Sequence, residues 1–236
     1  MKKLILGATG SIGSSLARKI VSEGGEVHLV GRDETSLSKI ASELNSTFTS
    51  CDVLEENFAE KISNDLGDTP INGLAYCVGS IDLKPIKLTK KSDYMQSFNL
   101  NLISAIEVIR RFSESLKQNK GSIVLFSTVA VRRGFTNHSI VASAKGAVEG
   151  LTVSLAAEFA PNIRVNCIAP SLTKSKISNF LLKNEKIADS IAKMHPLKRL
   201  GEGNDSSSVA NFLLSESSSW ITGQILGVDG GRSSLT

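Results

Sequence analysis

Short apolar runs alternate with amphipathic segments along the whole chain of 236 residues, and this alternation limits the possible folds more than any other feature. The runs have the length of buried strands and are bounded by glycine and polar residues. The segments between them carry the helical period: Leu37, Ile40, Ala41 and Leu44, for example, share one helix face. The predicted strands are 3–6, 27–30, 47–51, 74–78, 123–126, 163–168 and 225–228, of which 47–51 has the weakest pattern.

Strands that alternate with helices are joined by right-handed crossovers, and they form a parallel sheet with helices on both faces. The sequence therefore predicts an α/β fold of the doubly wound type. Proline and glycine do not cluster into a linker, and no segment is repeated. We expect residues 1–236 to form a single domain, because a sheet of this size buries its core without metals or disulfides.

The composition excludes several classes of function. Hydrophobic residues make up 41% and charged residues 21% of the chain, as in ordinary globular proteins. The net charge of +4 is spread along the chain, so nucleic acid is not an expected partner. No run approaches the roughly 18 apolar residues of a membrane span, and the first apolar run ends at Gly7, too early for a signal peptide. We expect a cytoplasmic protein with no membrane partner. The three cysteines have no metal-binding spacing, so no metal is expected.

The first predicted strand leads directly into Gly7-Ala8-Thr9-Gly10-Ser11-Ile12-Gly13, and a helix follows. Glycines at this spacing let the backbone turn sharply, let a pyrophosphate approach and let the helix pack on the strand. The start of the helix then presents N–H groups and the positive end of its dipole to the phosphates. A glycine loop in this position predicts a dinucleotide site.

The second predicted strand ends at Gly31-Arg32, where NAD-binding proteins usually carry a carboxylate for the ribose 2′-hydroxyl. Arg32 instead suits the 2′-phosphate of NADP, although Asp33 lies beside it. We expect NADP rather than NAD. Asp52, after the third strand, is either an acceptor for the adenine amino group or a helix N-cap before Val53, and the sequence does not separate these two roles.

Further segments carry a family pattern in a fixed order along the chain. They are Asn99-Leu100-Asn101-Leu102, Gly121-Ser122-Ile123-Val124, Arg164-Val165-Asn166-Cys167-Ile168-Ala169-Pro170, Thr222-Gly223-Gln224 and Val228-Asp229-Gly230-Gly231. Together with the glycine loop, they make the chain resemble the short-chain dehydrogenase/reductase family over essentially its whole length. The resemblance implies a Rossmann-like sheet of about seven strands, hydride transfer to or from a nicotinamide and, often, a tetramer.

The active site of that family has a serine, a tyrosine, a lysine four residues after the tyrosine, and an asparagine on an earlier helix. The resemblance assigns the lysine to Lys145, the asparagine to Asn101 and the place of the serine to Thr128. The place of the tyrosine holds Val141, which can neither donate nor accept a proton. General acid–base catalysis contributes about 10²- to 10⁴-fold, so this loss predicts a slow enzyme, a different proton donor or no chemistry.

His138 is a candidate for a different donor. It lies seven residues before Lys145, the offset of the tyrosine in the enoyl-acyl carrier protein reductase branch of the same superfamily. An imidazole there can donate a proton near neutral pH. The alternative is a surface or structural histidine in the loop before the helix, as most such histidines are.

Two more family positions differ. The Asn-Asn-Ala-Gly after the fourth strand is Tyr76-Cys77-Val78-Gly79 here, and the Pro-Gly after the sixth strand is Pro170-Ser171. The first change removes amides that stiffen the sheet, and the second removes a glycine next to the nicotinamide. The predicted catalytic residues are Asn101, Thr128, His138 and Lys145. The predicted cofactor contacts are Gly7, Thr9, Gly10, Ser11, Ile12, Gly13, Arg32, Asp52, Val53, Gly79, Lys145 and Pro170.

Two segments bear on partners. Small residues follow one side of the predicted helix 142–159, a helix that packs against partner subunits in the family, so a homodimer or homotetramer is expected; packing inside the monomer is the alternative. The segment 171–199 carries an apolar patch at Ile177 and 180–182, where the family has a mobile lid, or the patch is a core-facing helix. The lid interpretation favours a small, largely apolar substrate.

Two functions follow from these observations. The first is an NADPH-dependent oxidoreductase that acts on a carbonyl, an alcohol or an activated double bond. The second is a catalytically silent dinucleotide-binding protein that acts as a sensor or scaffold. Lys145 and Asn101 fit both, the missing tyrosine favours the second, and the hydroxyl of Thr128 favours the first.

Overall fold

The computed structural model describes residues 1–235, and its centre is a seven-stranded sheet in which every pair of neighbours is parallel. The strands are β1 Lys2–Leu6, β2 Glu26–Gly31, β3 Thr47–Ser50, β4 Ile71–Tyr76, β5 Ser122–Phe126, β6 Arg164–Pro170 and β7 Ile225–Val228. Their order in the sheet is β3-β2-β1-β4-β5-β6-β7. This arrangement confirms the predicted Rossmann-like fold, including the weakly patterned third strand.

Helices cover both faces of the sheet, because successive strand residues point to opposite sides. Leu4 and Leu6 face one hydrophobic cluster, which is closed by helices α3, α5 and α7, and Ile5 faces a second cluster closed by α1, α2 and α10. Each fully buried leucine or isoleucine contributes about 1.5–3 kcal/mol. The helices are α1 Ser11–Ser22, α2 Glu34–Glu43, α3 Phe58–Leu66, α4 Lys91–Phe98, α5 Ser104–Gln118, α6 Ala130–Arg133, α7 Ser139–Phe159, α8 Asn179–Leu182, α9 Glu185–Lys193 and α10 Gly203–Leu213.

The chain reverses its direction of winding between β1 and β4. Leu6 pairs with Val30 of β2 on one side and with Tyr76 of β4 on the other. A crevice opens at such a switch point, outside the carboxyl ends of the strands, and ligands of open α/β sheets bind there. The predicted glycine loop follows Leu6 directly, so the fold places it in this crevice.

Two elements differ from the sequence prediction by more than small shifts at their ends. The fourth strand covers Ile71–Tyr76 rather than 74–78, because the backbone leaves the sheet after Cys77, whose N–H donates to the carbonyl of Leu6 at 2.9 Å. The helix that contains Asn101 is interrupted by a π-helical turn at Asn99–Ile103, between α4 and α5. This turn places an extra residue in the helix beside the crevice.

Helix α7 is the one helix of the described chain that is long and apolar enough to span a membrane by length and composition. Core helices of globular domains meet the same criteria. In the fold, α7 packs on β5 and β6, and its inner side joins one of the two hydrophobic clusters through Val148 and Ala156.

Candidate functional site

A cavity of about 940 Å³ occupies the crevice at the carboxyl ends of the strands. It extends from the glycine loop, past the end of β4, to the segment after β6. The structure brings most of the predicted site residues to its wall: Gly7, Thr9, Gly10, Ser11, Ile12, Arg32, Asp52, Val53, Gly79, Thr128, His138, Lys145 and Pro170. Gly13 and Asn101 are buried behind this wall.

The glycine loop has the geometry that its sequence predicts. Gly7 has φ +76°, a left-handed conformation that favours glycine. A Cβ on Gly13 would lie 2.4 Å from the carbonyl oxygen of Gly7, so only glycine lets α1 approach the strand this closely. The first-turn N–H groups of α1 have no partner within the helix, and no acidic side chain lies in that turn. The loop therefore fits a pyrophosphate.

At the end of β2, the carboxylate of Asp33 is already engaged in hydrogen bonds. Asp33 is the N-cap of α2: its Oδ1 accepts from the N–H of Ser36 at 3.1 Å and its Oδ2 accepts from Ser36 Oγ at 2.7 Å. These hydrogen bonds lower the pKa of Asp33. Both oxygens already have a partner, which weakens the case for Asp33 as a ribose acceptor.

Arg32 and Asp52 lie together at this end of the cavity, with Nη1 of Arg32 3.4 Å from Oδ2 of Asp52. The interpretation of Asp52 as a helix cap before Val53 is wrong, because α3 begins only at Phe58. Its Oδ1 instead accepts from the N–H of Leu54 at 3.0 Å and closes a turn. Asp52 thus holds both the loop after β3 and the guanidinium of Arg32.

At the other end of the cavity, Lys145 and Asn101 meet around Gly79. A Cβ on Gly79 would lie 3.1 Å from Oδ1 of Asn101 and 3.2 Å from Nζ of Lys145. Both side chains are buried, and burial lowers the pKa of Lys145 to about 8. Asn101 donates through Nδ2 to the carbonyl of Ser97 at 2.8 Å, whereas its buried Oδ1 has no partner within the described chain. A buried acceptor without a partner is costly, so this oxygen fits a water or a ligand hydroxyl.

Sequence reasoning missed the role of Tyr76, which holds the part of the cavity wall that contains Asn101. Tyr76 replaces the first asparagine of the family motif, and it is fully buried at the end of β4. Its hydroxyl donates to the carbonyl of Leu100 at 2.7 Å, inside the π-helical turn that carries Asn101. Tyr76 therefore connects the sheet to the turn that carries the asparagine. Its apolar neighbours in sequence gave no signal of this contact.

The remaining catalytic candidates have unequal surroundings. Thr128 lines the cavity, and its Oγ1 accepts from the N–H of Ala130 at 3.3 Å, which leaves its proton for donation. The neighbouring Ser127 is no substitute, because its hydroxyl donates to Glu149 at 2.8 Å. Val141 is buried in the wall and brings no polar atom.

His138 is partly exposed and ends the loop before α7. Its Nδ1 bonds the carbonyl of Thr136 at 2.8 Å, so Nδ1 carries the proton and Nε2 is an acceptor when the ring is neutral. The ring also packs against Phe135, with centroids 5.3 Å apart. The polar residues near the cavity that were not predicted include Arg232, Ser171 and, behind the wall, His195.

The sequence from residue 7 to residue 233 matches a family model described as enoyl-(acyl carrier protein) reductase. The chain belongs to the short-chain dehydrogenase/reductase family. Members of this family are NAD(P)-dependent oxidoreductases that act on small molecules and are commonly oligomeric. The match confirms the family and the fold inferred from the sequence motifs.

Individual relatives cover nearly the whole chain. A chloroplastic tropinone reductase homolog of Arabidopsis thaliana is 33% identical, over 99% of this chain and 76% of the relative. The L-xylulose reductase of Bos taurus is 31% identical, over 98% of this chain and 95% of the relative. A solved glucose/ribitol dehydrogenase of the family from Brucella melitensis has a TM-score of 0.92 at 28% identity, and covers 98% of this chain and 96% of its own.

Proposed function

We propose that this short-chain dehydrogenase/reductase is an NADPH-dependent oxidoreductase for a carbonyl, an alcohol or an activated double bond. The juxtaposition of Lys145 and Asn101 around Gly79 carries the proposal. Two buried polar groups, one with a lowered pKa and one with an unpartnered oxygen, are costly to keep in a core. They are expected where a polar ligand completes their hydrogen bonds.

The residues present fit the dinucleotide along the whole cavity. The loop from Gly7 to Gly13 would hold the pyrophosphate, Asp52 and Val53 the adenine, and Lys145 the hydroxyls of the nicotinamide ribose. The nicotinamide, when bound, supplies or accepts a hydride. Pro170 and Ser171 border its end of the cavity, and Thr128 lies close to them through the hydrogen bond from the N–H of Val129 to the carbonyl of Pro170, 3.1 Å long.

The preference for NADP rests on Arg32. Its side chain is 73% exposed and stands at the cavity rim, held by Asp52. A guanidinium binds a 2′-phosphate through its planar fork. Asp33, the carboxylate next to it in sequence, is engaged by the cap of α2.

The substrate end of the cavity is largely apolar, which favours a small, mainly apolar substrate. Phe135, Leu172, Ile177 and Leu181 contribute to it, and the last three lie in the segment after β6 that acts as a lid in our proposal. Residues of α7 such as Val153, 52% exposed, favour a homodimer or homotetramer built on this helix. We further propose a cytoplasmic location, in which NADPH is the common reductant.

A specific observation favours a second function. Val141 is buried in the wall of the cavity without any polar atom, at the place of the family's proton donor. Cofactor binding does not need that donor. A dinucleotide-binding sensor or scaffold without turnover is therefore the alternative.

Cofactor titration and one substitution separate the two functions. NADPH fluorescence should show binding that is tighter than that of NADH. Val141→Tyr should raise the rate of NADPH oxidation with L-xylulose or tropinone, by up to about 10²-fold, because it restores the phenol beside Lys145. The matched control is Val141→Phe, which adds the ring without the hydroxyl.

Tighter binding of NADH would contradict the proposed cofactor preference. Binding of NADPH without turnover by wild-type protein or by Val141→Tyr would favour the silent dinucleotide-binding protein. Absence of binding by either cofactor would refute both functions.

A further inference from the structure

A serine and a histidine form a hydrogen-bonded pair at the nicotinamide end of the cavity. Ser171 lines the cavity, in the position where the family pattern has glycine. Its Oγ lies 2.8 Å from Nε2 of His195, which is 1% exposed. The two residues come from separate elements: Ser171 directly follows β6, and His195 follows α9.

The backbone fixes the tautomer of His195. Its Nδ1 lies 2.9 Å from the carbonyl oxygen of Ile191, one turn earlier in the chain. A carbonyl oxygen only accepts, so Nδ1 carries the proton of the neutral ring. Nε2 is then an acceptor, and the hydroxyl of Ser171 is the donor to it. A hydroxyl that donates to a neighbouring base in this way can pass its proton to that base.

We propose that Ser171 and His195 exchange the substrate proton in place of the missing tyrosine. The inference rests on the proposed oxidoreductase function and deepens it. Val141 removes the usual proton group from one side of the cavity, whereas this pair introduces a hydroxyl with an acid–base partner beside Pro170. Val129, next to Thr128, donates its N–H to the carbonyl of Pro170 at 3.1 Å, so the pair stands beside the other candidate hydroxyl.

The proton steps balance in both directions. In alcohol oxidation, the substrate O–H bond breaks as its proton passes to Oγ of Ser171, and the proton of Ser171 passes to Nε2 of His195. The substrate carbon loses its hydride to the nicotinamide, and an imidazolium remains. Its positive charge strengthens the hydrogen bond from Nδ1 to the carbonyl of Ile191. In carbonyl reduction His195 first takes up a proton from solvent by way of Ser171. The imidazolium then returns this proton through Ser171 to the substrate oxygen as the substrate carbon gains the hydride.

The pair fits this task better than the alternatives do. The reactive nitrogen of His195 reaches the cavity only through Ser171, so water does not compete for it directly. His138 is more exposed, and its Nδ1 is bonded to a loop carbonyl rather than to a helix end. Thr128 bonds a backbone N–H and has a methyl group that restricts its rotation.

A double-substitution cycle tests the pair as a proton group rather than as a structural contact. Ser171→Ala and His195→Gln are measured in wild-type protein and in Val141→Tyr, with NADPH and a panel of tropinone, L-xylulose and cyclohexanone. In the wild-type background, each substitution should lower kcat by about 10²-fold or more. In the Val141→Tyr background the loss should shrink to a few-fold, because the phenol supplies the proton.

Two control variants and two further measurements accompany the cycle. Ser171→Thr keeps the hydroxyl and should retain most of the activity. Ser113→Ala should match the parent protein, because the hydroxyl of Ser113 bonds its own helix and lies far from the cavity. The Kd of NADPH, measured by fluorescence, should change by no more than a few-fold in Ser171→Ala. Long-range ¹H–¹⁵N correlation should show His195 as the Nδ1–H tautomer near neutral pH.

The outcomes separate this inference from the function on which it rests. Absence of NADPH binding refutes the proposed function itself. Binding of NADPH with no reduction of the panel by wild-type protein overturns the pair as its proton group. Full activity of Ser171→Ala does so too, and so does an equal loss in both backgrounds, which indicates a structural role. An Nε2–H tautomer for His195 contradicts the geometry from which the pair was inferred.

Discussion

Protonation of His28 is expected to destabilise the fold in mild acid. His28 lies on β2, is fully buried, and bonds a threonine through each ring nitrogen. Nδ1 lies 2.8 Å from Oγ1 of Thr47 and Nε2 lies 2.9 Å from Oγ1 of Thr49. Thr49 in turn donates to Asp65 at 2.6 Å, so it must accept from His28. Thr47 is then free to donate to Nδ1, and the neutral Nε2–H ring satisfies every partner.

The same surroundings disfavour a charged ring. Burial, and next the positive charge of Lys2, lower the pKa of His28 to about 4, against a weaker opposing effect of Asp65. The ordinary pKa of histidine in an unfolded chain is about 6.5. Above that pH, His28 is neutral in both states and contributes no pH dependence. Below it, the unfolded chain binds a proton that the folded protein does not bind.

The size of the effect follows from linkage. The free energy of unfolding falls by about 1.4 kcal/mol per pH unit while only the unfolded state is protonated. Between pH 6.5 and the folded pKa of about 4, the total loss is therefore about 3 kcal/mol. This is a large share of the 5–15 kcal/mol that is typical of a folded protein.

Urea unfolding at several pH values between 7.5 and 4.5 measures this contribution. His28→Gln keeps a donor and an acceptor but does not titrate, so its stability should fall less steeply than that of wild-type protein. His138→Gln, at an exposed histidine, is the control for the loss of any one imidazole and should follow wild type. Parallel pH profiles for wild type and His28→Gln would refute the reasoning, as would an NMR titration of His28 above pH 6.

Two further predictions concern Gly13 and Tyr76, which shape the cavity, and Gly150 provides a control for the first. Gly13→Ala should abolish NADPH binding and cost about 1–3 kcal/mol of stability, because its Cβ would lie 2.4 Å from the carbonyl oxygen of Gly7. A Cβ on Gly150, on the exposed side of α7, would meet open space, so Gly150→Ala should stabilise the protein by about 0.5–1 kcal/mol. Equal effects of the two alanine substitutions on stability in urea unfolding would contradict this reasoning. Tyr76→Phe should cost about 1–3 kcal/mol, because the buried carbonyl of Leu100 loses its donor, and an unchanged urea midpoint would disprove the contact.

The sequence was sufficient for the features that depend on local pattern. Short apolar runs between segments of helical period located all seven strands, because the inner strands are buried on both faces, although β3 and β7 at the edges are only partly buried. The loop from Gly7 to Gly13 was predictable for a similar reason, since tight turns and close packing leave few residue types possible. Lys145 and Asn101 were found through their motif, and the structure places them together.

The features that depend on distant contacts were not predictable. Ser171 and His195 are 24 residues apart, on either side of α8 and α9, so no local pattern in the sequence pairs them. The sequence left two roles open for Asp52, and it did not exclude the helix cap because the start of α3 lies beyond a turn with no strong signal. Tyr76 was noted only as a departure from a motif, although its hydroxyl holds the turn that carries the asparagine.

The π-helical turn at Asn99–Ile103 makes the orientation of Asn101 sensitive to chain length rather than to residue type. Removing a single residue from it would leave one uninterrupted α-helix from α4 to α5. Since the π-turn takes up one extra residue locally, the helices before and after it would keep their faces, and the residues between them would move by one position around the axis. Asn101 would then turn away from Gly79 while the apolar side of α5 stayed on the sheet. A one-residue deletion here is thus the smallest change that can uncouple the stability of the fold from the geometry of its cavity.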